Sequence, residues 1–192
     1  MKPENLDEEW LLNAVANYVA RYAAPRATVL RVMRAKIRRA VGRGAVVAAD
    51  IDAQLAAVIE KHVALGTIDD AGWALHKARG LTRRGVPGSV VRQRLRERGI
   101  GDAAPAMAAV AEEIAGPEVE GEEQPATDLV AGCAWARRKR VGPFAREEAA
   151  DPRAAQQKAL GAMARSGYSF DVAKRVLAMD REAAEALLLR LG

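Results

Sequence analysis

Two segments 62 residues apart carry the same pattern: Trp73-Ala-Leu-His-Lys-Ala-Arg-Gly80 and Trp135-Ala-Arg-Arg-Lys-Arg-Val-Gly142. Tryptophan, alanine, lysine and glycine coincide at that offset. Carried backwards, the offset places Arg83 on Arg21, Pro87 on Pro25, Val91 on Val29 and Leu95 on Met33, while Trp10 misses the register by one residue. Such echoes predict copies of one helical unit. Stacked units make an extended molecule whose surface binds a partner, in place of a pocket that encloses a substrate.

Apolar residues recur at helical spacing throughout. Leu11, Leu12, Val15 and Val19 form one stripe, and Val29, Met33 and Ile37 form a second after the break at Pro25. Gly42 and Gly44 end that helix. Asp50 then offers an N-cap to a third, with Ile51, Leu55, Val58, Ile59 and Val63 inward, and Gly66 closes it. Asp69-Asp70 opens a second set as capping residues. Trp73, Ala74, Ala78 and Leu81 form its first stripe, and the Gly85-Val-Pro-Gly-Ser89 turn starts a helix facing inward through Val91 and Leu95. Gly99-Ile-Gly-Asp102 ends this helix and caps the next, which continues through Met107, Val110 and Ile114.

The stretch 116–126 is rich in Gly, Pro and Glu and lacks helical period, so it reads as a flexible acidic linker. Thr127-Asp128 starts a third set, with Leu129, Cys133 and Ala136 on the inner side. Gly142 to Pro152 reads as a loop. Leu160, Met163 and Ala164 resume a helix that Gly167 stops, and Ser169 caps the helix of Val172, Val176 and Leu177. No stretch alternates at period two. The expectation is an all-α chain of three tandem three-helix repeats forming an elongated, curved array: residues 10–68, 69–115 and, after the 116–126 linker, 127–192. Aromatics make up only 4%, so interiors should be thin and alanine-lined. Units of roughly 60 residues are marginal alone and gain from stacking.

Charge is segregated. Genomic bias toward arginine and alanine codons is the bland explanation of the net charge of +5, but it does not explain where the charge falls. From Trp10 to Ala49 there are eight basic residues (Arg21, Arg26, Arg31, Arg34, Lys36, Arg38, Arg39, Arg43) and no acid. From Gly72 to Ile100 the only acid is Glu97, whereas acids cluster between Glu112 and Asp128. This pattern points to a polyanion or an acidic protein surface as partner. Arg92 with Arg96, and Arg94 with Arg98, are four apart and pair on two sides of one helix, and Arg137-Arg-Lys-Arg140 adds four consecutive cations. Matching positions in two sets favour a binding surface over merely solvated faces.

Catalytic and metal-binding patterns are missing. His62 and His76 are the only histidines, and neither has a second soft ligand nearby in sequence, so no zinc site of the Cys/His type is expected. His62 reads as a packed side chain, Cys133 as core and the tryptophans as core anchors in preference to base-stacking platforms. There is no phosphate-binding Gly-x-x-x-x-Gly-Lys loop and no Gly-x-Ser-x-Gly elbow. No enzyme, cofactor or metal is expected. The lone Cys133 suits a reducing compartment. With no leader pattern and no apolar run of about 20 residues, a soluble cytoplasmic protein is expected.

The stretch Gly85-Val-Pro-Gly-Ser-Val-Val-Arg-Gln-Arg-Leu-Arg-Glu-Arg-Gly-Ile100 resembles the middle repeat of the RecX family of bacterial recombination regulators. Leu65-Gly-Thr-Ile-Asp-Asp70 is similar to the end of that family's first repeat, and Arg165-Ser-Gly-Tyr-Ser-Phe-Asp171 to its final turn. The resemblance runs in order from about Leu11 to the C-terminus. It departs at Pro25 and Thr28, where the first repeat usually carries serine and then an acid, and in the length of the acidic linker. The resemblance implies a monomer that binds the RecA nucleoprotein filament and inhibits its ATPase and strand exchange. Single- or double-stranded DNA, within or outside the filament, is a further expected partner, and no membrane is. On that basis Arg83, Arg84, Arg92, Arg94, Arg96, Arg98, Arg137, Arg138, Lys139 and Arg140 are the expected contacts to acidic filament surface or DNA phosphate. The competing expectation is a helical regulator that binds duplex DNA directly.

Overall fold

The structure, a computed structural model, describes residues 5–116, 127–146 and 150–191. Except for Gly116, the acidic linker lies outside the described residues. Those residues form ten α-helices: α1 (Glu8–Val19), α2 (Arg26–Val41), α3 (Ile51–Ala64), α4 (Asp70–Arg83), α5 (Gly88–Glu97), α6 (Ala104–Ala115), α7 (Thr127–Lys139), α8 (Pro152–Arg165), α9 (Phe170–Ala178) and α10 (Arg181–Leu189). The fold is all-α. The chain divides into two compact units, Met1–Ala74 with Arg96–Gly101, and Leu75–Leu95 with Asp102–Gly192, so α4 and α5 each contribute to both.

The core of the first unit follows from the spacing of its apolar residues. α1 buries Leu11 and Val15, α2 buries Val29, Met33, Ile37 and Ala40, and α3 buries Ile51, Leu55, Val58 and Ile59. Positions three, four and seven apart share one face of a helix. Leu12 and Val63, read as part of these stripes, lie at the flanks and stay 37% and 36% exposed. One feature carries no sequence period: Asn5–Leu6 pairs in parallel with Val46–Val47, two residues on each side, and this ladder holds Leu6 in the core.

The caps divide into local and long-range ones. Asp7 accepts the Trp10 N–H at 3.0 Å, and Asp69 accepts that of Gly72 at 2.9 Å, each starting its own helix. Asp50 stands at the N-cap of α3, but its side chain caps no backbone N–H; its carboxylate instead accepts the Gln54 side-chain amide at 2.9 Å. Asp70 does not cap α4. Its Oδ1 accepts the Arg26 N–H at 2.7 Å and so caps α2, which opens after Pro25 with no side-chain acceptor of its own. In the second unit Asp128 does the same for α5, accepting the Gly88 N–H at 2.7 Å beside Pro87. Ser169 caps α9 locally, at 3.3 Å from the Val172 N–H.

In the second unit α7 is the central element, with every residue from Leu129 to Ala136 buried. Small residues make that possible. A Cβ on Gly132 would stand 2.8 Å from Val176 Cγ2, so glycine lets α9 approach closely. Phe144, Met163, Tyr168, Val176 and Leu188 pack with Trp135 of α7 in one core cluster. The stretch read as a loop after Gly142 includes a 3-10 turn at Gly142–Phe144. The last helix, α10, extends beyond the sequence reading and buries Ala184 and Leu188. At its end Arg190 donates to the carbonyl of Ala115 at 2.7 Å, satisfying a free acceptor at the C-terminus of α6.

Candidate basic interface

Gly85 places the basic residues at the end of α4. Its φ of +69° turns the chain, and a Cβ there would stand 2.4 Å from Trp135 N, so backbone meets backbone. Trp135 is itself fixed: 3% exposed, edge-on to Tyr168 at 6.5 Å, with its indole N–H donated to Ser166 Oγ at 3.1 Å. It is a core anchor, as its sequence position suggests. One turn further along α7, the Arg138 guanidinium donates to the Arg84 carbonyl at 2.7 Å. Arg83, Arg84, Arg137, Arg138 and Lys139 are all exposed around this junction. The last turn of α7 also carries the negative end of the helix dipole, which favours cations there.

Arg140 ends α7 at φ +56°, a position usually taken by glycine, and with Arg146 it lines an open groove floored by Val141, Ala159 and Leu177. On α5 the fully buried Val91 and Leu95 turn Arg92 and Arg94 outward, with Arg92 on the side of Gly88 and Asp128. Arg96 and Arg98, also exposed, fall in the first unit. There Gly99, at φ +89°, lies against Ala27 of α2.

None of the ten expected cations forms an ion pair among the described residues. Arg79, not among them, makes a two-pronged pair with Glu113. That pair, helped by the nearby charge of Arg83, holds the Glu113 carboxyl below its ordinary value, against a smaller opposing effect of burial. Of the ten side chains, only that of Arg138 has a hydrogen bond among the described residues, to the Arg84 carbonyl, and Arg83 acts on Glu113 through its charge alone. In the first unit Arg26 pairs with Glu60 and Arg34 with Asp52, the latter at 3.0 Å. Arg31 and Arg38 are unpaired among the described residues, a distinction that charge along the sequence does not make.

Other chemistry is sparse here. Cys133 is buried with its thiol 3.9 Å from Met179 Sδ, and burial pushes its pKa up to about 11, the opposite of an activated nucleophile. His62 Nδ1 lies 2.8 Å from Thr67 Oγ1. Among the described residues no group of three or more His, Cys, Asp or Glu is placed to hold a metal, and no helix is long and apolar enough to cross a membrane.

Fold and surface thus define an all-α, basic protein with many exposed cations that have no ion pair among the described residues. Over 176 residues it is 31% identical to the regulatory protein RecX of Myxococcus xanthus, covering 92% of this chain and 88% of that one. The chain belongs to the RecX family of regulatory proteins. The regulatory protein RecX of Agrobacterium fabrum is 40% identical over 65 residues, 34% of each chain. The crystal structure of RecX from Lactobacillus salivarius has the same fold at a TM-score of 0.58 and 17% identity, covering 93% of this chain and 97% of that one. No protein-family model matches the chain. The relatives are named as regulatory proteins, not as enzymes.

Proposed function

We propose that this protein binds the nucleoprotein filament of the RecA recombinase and inhibits its ATPase and strand exchange. Family membership supplies the regulatory role. The observation that carries the rest is the junction of Arg84 with Arg138, which gathers exposed cations from α4 and α7 beside a rigid tryptophan anchor. Exposed arginines without ion pairs suit an acidic filament groove or its DNA phosphates, because a guanidinium fork meets carboxylate or phosphate oxygens two at a time. In this reading the chain comprises three helical repeats, 10–68, 69–115 and 127–192, lying across neighbouring RecA protomers. The recurring long-range caps, Asp70 on α2 and Asp128 on α5, support such a repeat. Bridging protomers would hinder the motions that accompany ATP turnover.

The test is ATP hydrolysis by the same organism's RecA on single-stranded DNA in excess, titrated with this protein. Inhibition at substoichiometric protein is expected. Replacing Arg84, Arg137 and Arg138 together by alanine should raise the half-inhibiting concentration by about tenfold or more, with a weaker salt dependence. No inhibition by the wild type, with RecA shown active, would remove the proposal.

A further inference from the structure

The inward positions of α2, Val29, Met33, Ile37 and Ala40, fix which side of that helix faces away from the core. The helical period then places Ala27, Arg31, Arg34 and Arg38 together on the outward side. Arg34 is held by Asp52, whereas Arg31 and Arg38 have no hydrogen-bond or ion-pair partner among the described residues. At the Ala27 end this face receives a second basic segment. Gly99 packs so closely that a Cβ on it would stand 2.2 Å from that of Ala27, which brings in the chain carrying Arg96 and Arg98. Arg31 follows Ala27 by one turn, about 6 Å along the axis. Glu97 is the one acid in that segment.

We infer that this face of the first compact unit binds the phosphate backbone of a nucleic acid, with no choice of sequence. Its composition argues for a polyanion over a protein. Protein interfaces centre on apolar or aromatic anchors that lose their water, and from Ala27 to Arg38 the outward positions offer only alanine and arginine. Guanidinium forks match phosphate oxygens bidentately. Arg31 and Arg38 lie about 10 Å apart along the helix, so each meets a different phosphate. Asp52 tempers the surface by keeping Arg34 partly compensated.

The inference is separate from the filament reading, and its test contains no recombinase. Binding of the full-length protein to a short labelled DNA duplex would be followed by fluorescence anisotropy over a range of salt concentrations. Duplexes of unrelated sequence should bind alike. Arg31→Ala with Arg38→Ala should weaken binding by about tenfold or more at low salt and reduce the log–log salt slope by about 2. Asp52→Asn should move the other way, tightening binding and steepening the slope by about 1 as Arg34 is released. These are exposed positions, and helicity by circular dichroism should not change. The inference is overturned by a wild type that does not bind, by a double variant with wild-type affinity and slope, or by an Asp52→Asn variant that binds no better. Polyglutamate competing as well as unlabelled duplex would also overturn it, in favour of an acidic protein partner. Failure here leaves filament inhibition standing, and loss of filament inhibition leaves this surface standing.

Discussion

The Asp70 carboxylate accepts the backbone N–H of Arg26 at 2.7 Å, so the first residue of α4 caps the start of α2. Pro25 supplies the right backbone direction but no side-chain acceptor, and the free donors of a helix start need one. Asp70→Ala should therefore lower stability by about 1–2 kcal/mol, read as a shift in the urea midpoint. Asp70→Asn should lose less, because asparagine caps nearly as well. Asp128→Ala should act in the same way on α5, through Gly88. A midpoint unmoved by Asp70→Ala would mean that this cap contributes nothing in solution.

Gly85 and Gly44 both have positive φ, +69° and +87°, but they stand in different surroundings. A Cβ on Gly44 meets nothing within 4 Å, whereas one on Gly85 meets the backbone of Trp135 at 2.4 and 2.7 Å. Gly44→Ala should cost only the conformational strain, about 1 kcal/mol. Gly85→Ala adds a clash that only a shift of α7 relieves, for a total of about 2–5 kcal/mol. Paired thermal melts of the two variants would separate strain from clash. Equal losses would show that α7 yields easily at Trp135.

The helices were legible because their cores repeat at helical spacing, as in Val29-Met33-Ile37, and because Gly66, Gly99 and Gly167 stop them with positive φ. What escaped the sequence was long-range. Asp70 looked like a local cap, and nothing near it in the chain shows that its partner is Arg26. The ladder of Leu6 with Val47 is too short to leave an alternating pattern. α10 was there to be found, since Asp180 caps it through the Ala183 N–H at 2.7 Å and Ala184 and Leu188 repeat at four. The basic residues were visible as charge, but compensation was not. Only the placement of α3 separates Arg34, held by Asp52, from Arg31 and Arg38.

Cys133 is the one cysteine of the chain and is fully buried, so it reports opening of the second unit. A thiol-specific reagent near pH 8 should label native protein far more slowly than urea-unfolded protein. Rapid labelling of the native state would contradict the burial. The pH dependence has a definite sign. Burial keeps the folded thiol neutral up to about 11, above its ordinary value of 9.0. Between those values the unfolded chain loses its proton first, so stability falls as pH rises through that window. Cys133→Ala should flatten the fall, measured as urea midpoints across the same range.

Glu113 links stability to the basic surface. Its carboxyl is held below the ordinary carboxylate value chiefly by hydrogen bonding to Arg79, with smaller help from the charges of Arg79 and Arg83. A depressed folded pKa gives stability that is present above the unfolded value and lost as pH falls through the folded one. The pair is partly exposed, with side chains 35% and 42% accessible, so its effect on stability at neutral pH should be small. Glu113→Gln should therefore leave the neutral-pH melting temperature nearly unchanged and make the acid-side loss of stability shallower. The same change removes the acid that offsets Arg79 and Arg83. If, as proposed, the protein inhibits RecA through the surface around Arg84 and Arg138, inhibition should be retained or strengthened, most visibly at low salt. Weaker inhibition by a variant that melts like the wild type would place the partner's contacts elsewhere on the protein.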